Sequence, residues 1–342
     1  MIISKWDRTD AHVVKVWGRG RCFNEYKPLL SSFCKNSCKY CFFRKERAVE
    51  RHRFSPEKLA KFVYYLWLRG KIDGVMISSG VFTDPEIVVE EEIEAARLLR
   101  KMGFRGFIHL RLMPGTPKYL VWEAARIADR IGVNIESPDK TVFYEIAPDK
   151  GSYRNDLMKV LENCYRAWRT LRREGFLKSG IVTQMIVGLG ESDLRALETT
   201  EYLIRNFKLR RVYYSPFEPI KNTPLEDHSP CPVSRARRLY QVFFLLKDYG
   251  FMLRELKYLF DENDMLPAVR DIKFEYAKRV LGYRSIDLNS ASFNELVKVP
   301  GIGPVSAKRI LRLREQKRID FIDLRKILGP SRFKKAAKFV EV

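Results

Sequence analysis

The chain of 342 residues is 46% hydrophobic and 31% charged, which is ordinary for a soluble protein with one large domain and a small accessory domain. Its formal net charge of +22 favours a polyanion such as nucleic acid as its partner. The sequence has no run of about 18 apolar residues, which excludes a typical membrane-spanning helix.

Cysteine usage and the first residues bear on the compartment. Three of the six cysteines are clustered, and Cys22, Cys164 and Cys231 are scattered, which argues against a disulfide framework. Residues 1–7 lack the layout of a signal peptide, so we expect a cytoplasmic protein. The positive charge is also compatible with a proteome rich in Lys and Arg and with a role at a membrane surface.

Predicted strands and helices alternate along most of the chain. The apolar residues 29–33 predict a first strand that leads into the clustered cysteines, and Ser55 with Pro56 predicts the start of a helix that stops at Gly70. Later strands are predicted at 74–78, 107–112, 133–136, 181–187 and 212–215, and later helices at 84–102, 118–131, 154–174, 194–206 and 233–249. Six such units indicate a parallel sheet and are too few for a closed eight-stranded barrel.

The clustered cysteines Cys34, Cys38 and Cys41 follow the pattern C-x3-C-x2-C. Three thiolates can ligate an iron–sulfur cube and leave one iron free for a substrate or cofactor. Two alternatives stay open: a zinc site with Cys22 or His52 as fourth ligand, and thiols that are close together by chance. Zinc sites usually use two separated pairs of ligands, and neither residue supplies a second pair.

A run of basic residues follows the cysteine loop: Arg44, Lys45, Arg47, Arg51 and Arg53. These side chains would lie close to any substrate that reaches the cluster. They are suited either to neutralising phosphates or to forming a solvated loop face.

The cysteine pattern, with Tyr40 before the last cysteine, resembles the signature loop of the radical S-adenosylmethionine enzymes. The resemblance implies a 4Fe-4S cluster held by the three cysteines and S-adenosyl-L-methionine bound to the open iron. It also implies reductive cleavage of this cofactor to a 5′-deoxyadenosyl radical, with an electron donor such as a ferredoxin or a flavodoxin. Members of this superfamily have a curved, partly open barrel of six strands, which agrees with the predicted alternation.

We therefore predict an α/β chain with two domains. Residues 1–282 are predicted to form a partial (β/α)6 TIM-like barrel of radical S-adenosylmethionine type, and residues 283–342 a small all-α domain. Chemistry in such sheets gathers at the carboxyl ends of the strands, where the cysteine loop would lie.

Two strand ends carry residues that the resemblance assigns to the cofactor. Ser78, Ser79 and Gly80 occupy the place of a Gly-Gly-Glu-like turn that contacts the methionyl amino group, although no Glu follows here. Glu136 is placed to accept hydrogen bonds from ribose hydroxyls. A plain strand-to-helix turn and a surface carboxylate are the respective alternatives.

A third strand end resembles the element G-x-I-x-G-x-x-E of the superfamily. Here Gly188, Leu189 and Glu191 are the matching positions, and the apolar residue is expected to pack on adenine. Glu191 is equally suited to a capping box of the next helix. Residues 216–226 also look like the loop after the last strand in several members, including the biotin-synthase-like group.

Possible hydrogen-atom relays follow from the predicted radical chemistry. Cys231, Tyr213 and Tyr214 lie at or beyond the last strand, and Cys164 is a further thiol. A structural role in the core accounts equally well for each of them.

Beyond Gly282 no strand is predicted, and the pattern becomes helical. Ser292 and Glu295 form a predicted capping box before a hairpin at 300–303, and a second helix runs over 305–316. This arrangement resembles the helix-hairpin-helix module, which holds duplex DNA by its backbone. Main-chain N–H groups at Gly301, Ile302 and Gly303 would bind a phosphate.

Basic residues accompany this hairpin. From Tyr283 onward there are 14 Lys and Arg against 6 Asp and Glu. The predicted phosphate contacts are Lys308, Arg309, Arg312, Lys334 and Lys335, with Lys338 nearby. Residues 328–333 are a degenerate second hairpin, and protein contacts are the alternative role of the module.

Together the two parts resemble radical S-adenosylmethionine proteins with a C-terminal helix-hairpin-helix, which are described as DNA modification or repair proteins. The leading hypothesis is an enzyme that modifies or repairs a nucleotide in double-stranded DNA. Two alternatives are an RNA-modifying enzyme of the same superfamily and a non-catalytic DNA-binding protein with a structural metal.

Overall fold

The computed structural model of the chain describes residues 13–18, 21–282 and 285–342. Backbone contacts divide the chain into two compact units, one of Met1–Gly190 and Arg205–Cys231 and one of Glu191–Ile204 and Pro232–Val342. The domain boundary predicted between residues 282 and 283 stays a prediction. Tyr283 and Arg284, at that boundary, lie outside the described residues, as do residues 1–7.

Seven strands form one curved sheet in the first unit, in the order of the sequence. Their bounds are β1 Val13–Gly18, β2 Arg21–Tyr26, β3 Gly74–Ile77, β4 Phe107–Arg111, β5 Arg130–Gly132, β6 Ile181–Val187 and β7 Arg211–Pro216. β1 pairs antiparallel with β2, and the pairs from β2 to β7 are all parallel. The six parallel strands form the partial barrel that the sequence predicts.

Helices connect these strands. The first unit contains α1 Pro56–Leu68, α2 Pro85–Lys101, α3 Lys118–Ile127, α4 Lys140–Ile146 and α5 Lys159–Leu171, and α6 Asp193–Phe207 has residues in both units. A π-helical turn, Tyr153–Met158, precedes α5 and a 3-10 turn, Arg172–Glu174, follows it. The predicted start of α1 is confirmed, because the Ser55 hydroxyl accepts a hydrogen bond from the Lys58 N–H at 3.3 Å.

Helices also dominate the second unit. Their bounds are α7 Val233–Asp248, α8 Ile272–Tyr276, α9 Phe293–Leu296, α10 Pro304–Arg314, α11 Phe321–Leu328 and α12 Pro330–Ala336, with a 3-10 segment Leu253–Leu259 and a π-helical turn Ala277–Leu281. The capping box of Ser292 and Glu295 is confirmed. Among the described residues no helix is long and apolar enough to cross a membrane.

The first predicted strand was wrong. Residues 29–33 contain only single bridges, from Leu29 to Ser78 and from Ser31 to Arg53, and the parallel sheet begins with β2. The Leu30 N–H donates to the Ser78 carbonyl, whereas the Ser32 N–H donates to the His52 carbonyl. Leu30 and Ser32 therefore bond to different segments of the chain. For this reason residues 29–33 form no strand of the sheet and belong to the cysteine loop.

The predicted strand at 133–136 was also displaced, since β5 is Arg130–Gly132 and α3 ends at Ile127 rather than 131. The physical reason is the Asp129 carboxylate, which accepts hydrogen bonds from the Ile108 N–H at 2.9 Å and from Arg100 at 2.8 Å. These bonds draw the chain into the sheet earlier than its apolar pattern suggests.

Hydrophobic burial stabilises each unit separately. In the first unit the strands bury apolar residues such as Ile108, Leu110 and Val212, which are 0% exposed. A second cluster in the C-terminal unit includes Leu296 and Ile302. That unit also contains two short parallel strands, β8 Ile286–Asp287 and β9 Val340–Glu341, which corrects the prediction of no strand there. Strands of two residues carry too little pattern to be recognised in a sequence.

Candidate functional site

One cavity of about 150 Å³ in the first unit brings most of the predicted site together. It lies at the carboxyl ends of the strands, because Ser78, Leu112 and Val133 directly follow β3, β4 and β5. Predicted site residues that line this thiol cavity are Cys34, Cys38, Tyr40, Cys41, Ser78, Ser79, Gly80 and Glu136. Residues far apart in sequence therefore meet at the predicted edge of the sheet.

The loop that carries the thiols is fixed by its main chain. The Asp149 carboxylate accepts the Ser37 N–H at 2.8 and 3.0 Å and pairs with the Lys45 ammonium at 3.0 Å. The Lys39 N–H donates to the Ile146 carbonyl at 2.8 Å. The residues at and just after the end of α4 thus hold the loop in place.

Arg51 holds the same loop from the other side. Its guanidinium donates to four main-chain carbonyls, those of Ser32 at 2.7 Å, Phe43 at 3.0 Å, Arg44 at 2.6 Å and Arg47 at 3.1 Å. This arrangement uses the guanidinium as a structural donor.

The rest of the basic run also has partners within the protein. Arg53 pairs with Glu91 at 2.5 Å, and Arg44 donates to the Ser37 carbonyl at 3.2 Å. The sequence left two roles open for this run, phosphate binding and a solvated loop face. These contacts favour neither role. They indicate that the run stabilises the loop.

Gly80 allows the turn after β3 to pack onto the thiol loop. A Cβ atom at this position would lie 2.3 Å from the Phe33 carbonyl oxygen and 3.1 Å from the Cys34 Cβ. The Gly80 N–H donates to the Ser31 carbonyl at 2.7 Å. Only glycine fits so close to this backbone.

Glu136 has an unusual backbone and a buried partner. Its φ is +60°, and its N–H and carbonyl bridge to Gln184 and Ile186 on β6 at 3.1 and 2.7 Å. Left-handed backbone at a residue other than glycine is sparsely populated and clusters at functional sites. The carboxylate, 2% exposed as a residue, bonds to the Lys150 ammonium.

Lys150 is a site residue that the sequence analysis missed. Its ammonium contacts Glu136 and lies 3.2 Å from the Tyr40 hydroxyl. Burial opposes the charged form, but Glu136 and the nearby thiols raise the pKa of Lys150 above its ordinary value. Lys150 follows a short helix without a recognisable motif, so only its position in space reveals it.

Burial also governs the thiols. It raises the pKa of Cys38 to about 12, although the Lys150 ammonium acts in the opposite direction. The pKa of the Cys41 thiol is raised for the same reason. Because the thiolate is the metal ligand, binding of iron at these positions would release protons.

Arg111 and Asn134 line the cavity and were also missed. Arg111 Nε and Nη1 and Asn134 Oδ1 are buried without a hydrogen-bond partner. Buried polar atoms are nearly always satisfied, so these orphaned groups indicate a ligand. Three thiols beside the unpartnered Asn134 oxygen fit an iron–sulfur cluster together with a polar cofactor such as S-adenosylmethionine. The alternation of residues along β4 is the signal that could have placed Arg111 inside.

The predicted element around Gly188 is placed differently. Its φ is +101°, and a Cβ atom there would lie 2.4 Å from the Cys231 Cβ. In the described part of the chain, Gly188 and Leu189 are not among the residues that line the thiol cavity. Glu191 belongs to the second unit, where it pairs with Arg235 at 2.8 Å. Their assignment to the cofactor stays a prediction.

The predicted relay residues differ in their surroundings. The Tyr213 hydroxyl accepts a hydrogen bond from Arg130 at 3.1 Å, and Tyr214, on the opposite face of β7, is 3% exposed. The Cys231 N–H donates to the Phe217 carbonyl at 2.8 Å. Cys164 is buried in α5. A relay role stays a prediction for all four.

The zinc alternative finds little support in the geometry. His52 Nε2 lies 3.3 Å from the Leu29 carbonyl oxygen, and Cys22 is exposed on β2. Within residues 13–18, 21–282 and 285–342, no three His, Cys, Asp or Glu are grouped to ligate a single ion.

The second unit contains the predicted hairpin. Gly301 has a φ of +87°, and a Cβ atom there would lie 2.4 Å from the Arg332 carbonyl oxygen. The Ile302 carbonyl accepts a hydrogen bond from Lys273, and Gly303 is the N-cap of α10. Gly329 joins α11 to α12, so the degenerate second hairpin also forms.

The basic residues of this hairpin face solvent. Lys308, Arg309, Arg312, Lys334 and Lys335 are all exposed. Lys335 also pairs with Asp271 at 2.6 Å. Exposed cations of this kind contact phosphates without reading bases.

A partial barrel with a three-thiol cavity at its strand ends defines a class of cluster-binding proteins. The sequence model of the Radical SAM superfamily matches residues 29–203, slightly more than half of the chain. The chain therefore belongs to the radical S-adenosylmethionine superfamily, whose members use an iron–sulfur cluster and S-adenosylmethionine. A second model, the helix-hairpin-helix motif, matches residues 281–341.

Solved structures with a similar fold include two of HydG. One, a maturase of the FeFe-hydrogenase, has 12% identity and a TM-score of 0.53, and covers 65% of this chain and 49% of its own. The other, from Carboxydothermus hydrogenoformans, has 17% identity and a TM-score of 0.52, and covers 66% and 52%. Methylornithine synthase (PylB) has 16% identity and a TM-score of 0.49, and covers 65% and 63%. The match thus spans about half of the HydG chains. A comparison with curated protein sequences found no match.

Proposed function

We propose that the chain is a radical S-adenosylmethionine enzyme that modifies or repairs a nucleotide in nucleic acid, with double-stranded DNA as its substrate. The observation that carries the proposal is the occurrence, in one chain, of the thiol cavity and a helix-hairpin-helix unit with exposed cations. The net charge of +22 supports a polyanionic partner.

In this proposal Cys34, Cys38 and Cys41 hold a 4Fe-4S cluster, and Asn134 and Glu136 bind polar groups of S-adenosylmethionine. When bound, these groups supply a 5′-deoxyadenosyl radical, with an electron from a donor such as a ferredoxin or a flavodoxin. Lys150 neutralises the buried Glu136 carboxylate and fixes its orientation.

The target nucleotide has to reach this cavity. Hydrogen abstraction needs contact distance, so a nucleotide in a duplex would be extruded from the stack. The helix-hairpin-helix residues would position the nucleic acid through its backbone and leave the choice of base to the barrel.

Anaerobic reconstitution with iron and sulfide tests the proposal. After reduction with S-adenosylmethionine, 5′-deoxyadenosine is measured with duplex DNA, single-stranded DNA, RNA or no polymer. We expect formation of 5′-deoxyadenosine that duplex DNA stimulates. Stimulation by RNA alone would favour the RNA-modifying alternative. A protein with no iron–sulfur absorption and no cleavage would support the non-catalytic alternative and contradict the proposal.

A further inference from the structure

The inner face of the sheet, next to the thiol cavity, is polar. Along β4, Ile108 and Leu110 pack in the apolar core, whereas His109 and Arg111 alternate with them and point to the other face. Arg130 on β5 pairs in register with His109 and donates to the Tyr213 hydroxyl on β7 at 3.1 Å. Three strands thus contribute polar side chains to one interior region.

Several side-chain nitrogen atoms in this region lack hydrogen-bond partners. Arg111 is 8% exposed and His109 is 2% exposed. Arg111 Nε and Nη1, Arg130 Nε and His109 Nε2 are all buried without a hydrogen-bond partner. Arg111 Nη2 lies 3.8 Å from the Met76 sulfur.

Two nearby carboxylates are already engaged. Glu25 lies 3.3 Å from Lys27, and Glu136 bonds to Lys150. A third, Glu92 on α2, is buried with both oxygens unpartnered, and burial raises its pKa well above the ordinary value although Arg111 acts in the opposite direction. Among the described residues, neither Arg111 nor Arg130 has a carboxylate within ion-pair distance. Two guanidinium groups therefore remain on this face without a counter-anion.

The register of β4 and β5 places these groups close to one another, and their charges affect each other. Burial, followed by the charges of Arg111, Arg130 and Lys27, holds the pKa of His109 well below its ordinary value, so the imidazole is neutral at pH 7. Burial also lowers the pKa of Arg111, and Tyr213 is the strongest of the neighbours that oppose this shift. A buried cation without a counter-charge is unfavourable, and an anionic ligand would remove that cost.

We propose that Arg111, Arg130 and His109 form a binding site for the phosphate of the nucleotide on which the enzyme acts. This inference rests on the proposed function and specifies its substrate as a phosphorylated nucleotide rather than a base alone. Guanidinium groups present forked donors that match the oxygens of a phosphate. The neutral imidazole adds a further donor without a further charge.

Binding of inorganic phosphate, a deoxynucleoside 5′-monophosphate and the matching deoxynucleoside tests the site by isothermal titration calorimetry. The experiment uses a full-length variant with Lys308→Gln, Arg309→Gln and Arg312→Gln. These substitutions remove competing phosphate contacts at the hairpin. We expect the monophosphate to bind more tightly than the nucleoside. Arg111→Met and Arg130→Met should each weaken monophosphate binding by about tenfold or more. Arg126→Met, an exposed position on α3, is the matched control and should have no effect.

A parallel titration with S-adenosylmethionine tests whether the two arginines bind the carboxylate of this cofactor rather than the phosphate of a nucleotide. If the two arginines bind the carboxylate of that cofactor instead, the variants lose affinity for it and keep their affinity for the monophosphate, which would overturn the inference. Arg130→Lys keeps the charge but not the fork, and should give an intermediate loss. If the methionine variants fail to fold, the site can be tested without them. The NMR signal of His109 is then followed in the histidine-labelled protein with its natural arginines. A shift on addition of phosphate supports the site, and an unchanged signal refutes it.

The outcomes separate this inference from the proposed function. Tight monophosphate binding that depends on both arginines, without stimulation by any polymer, would keep the phosphate site and reject nucleic acid as the substrate. Stimulation by duplex DNA with unchanged monophosphate affinity in both variants would keep the proposed function and reject the site.

Discussion

Two sets of arginines and lysines, one in each unit, differ in their burial. In the first unit Arg111 is buried on the inner face of the sheet and has orphaned nitrogen atoms. In the second unit Lys308, Arg309 and Arg312 are exposed along one helix. Buried cations favour one small anion of matching geometry, whereas exposed cations attract any nucleic acid backbone in a salt-dependent manner. Under the proposed function, this contrast assigns selection of the target nucleotide to the first unit and non-specific binding of the backbone to the second.

Loss of a cluster ligand in the thiol cavity should have the strongest consequence. Cys38→Ser should abolish iron–sulfur absorption after reconstitution and the formation of 5′-deoxyadenosine, because it removes one of three thiolate ligands. Binding of duplex DNA should be unchanged if the two units act separately. Cys22→Ser, at an exposed cysteine on β2, is the control and should retain both properties. Full turnover by the Cys38 variant would reject the cluster assignment.

The second prediction concerns the stability of the hairpin in the second unit. Gly301→Ala should lower the free energy of unfolding of the second unit by about 3 kcal/mol, because the new Cβ meets a carbonyl oxygen and the backbone is left-handed. Gly250→Ala isolates the backbone contribution, since Gly250 has a φ of +77° but no atom within 4 Å of the new Cβ. It should cost about 1 kcal/mol. Thermal denaturation, monitored by circular dichroism, measures the loss of stability in both variants. Equal losses would show that the contact between the new Cβ and the Arg332 carbonyl oxygen is unimportant.

The exposed cations can be tested by salt dependence. The combined changes Lys308→Gln, Arg309→Gln and Arg312→Gln should weaken binding to duplex DNA by about tenfold to a hundredfold. The slope of log K against log salt should become shallower by about 0.9 for each phosphate contact that is lost. Fluorescence anisotropy over a range of salt concentrations measures both quantities. Arg126→Gln, on the barrel unit, should leave the slope unchanged, and an unchanged slope in the triple variant would exclude this surface.

The last and weakest effect is a dependence of the free energy of unfolding on pH. It arises from Lys273, whose side-chain nitrogen contacts the Ile302 carbonyl. Burial lowers the pKa of Lys273 to about 7, against an ordinary value of 10.5. Between these pH values the folded protein holds fewer protons than the unfolded chain, so this residue adds stability as pH rises from about 7 to 10. The stability of the natural protein relative to Lys273→Met should therefore increase by about 1 kcal/mol over that range, since water reaches part of the side chain. Urea denaturation at pH 6, 8 and 10 measures the difference, and a constant or falling difference would contradict the assignment.

Local sequence patterns predicted the elements whose signals lie within a few residues. The cap at Ser55, the bounds of β6 and the capping box at Ser292 are confirmed because side chain and backbone partners are neighbours along the chain. The early end of α3 depends on Asp129 bonding to Ile108 and Arg100, which are distant in sequence. No local pattern contains that information.

Spacing and alternation along the chain were enough to predict the superfamily, four of the six parallel strands, the three thiols and the helix-hairpin-helix segment. The contacts of Lys150 with Glu136 and Tyr40, and the orphaned nitrogen atoms of Arg111 and Arg130, became visible only in the folded chain. The reason is physical. Whether a buried charge has a partner depends on which distant strands and loops converge around it, and convergence is fixed by packing.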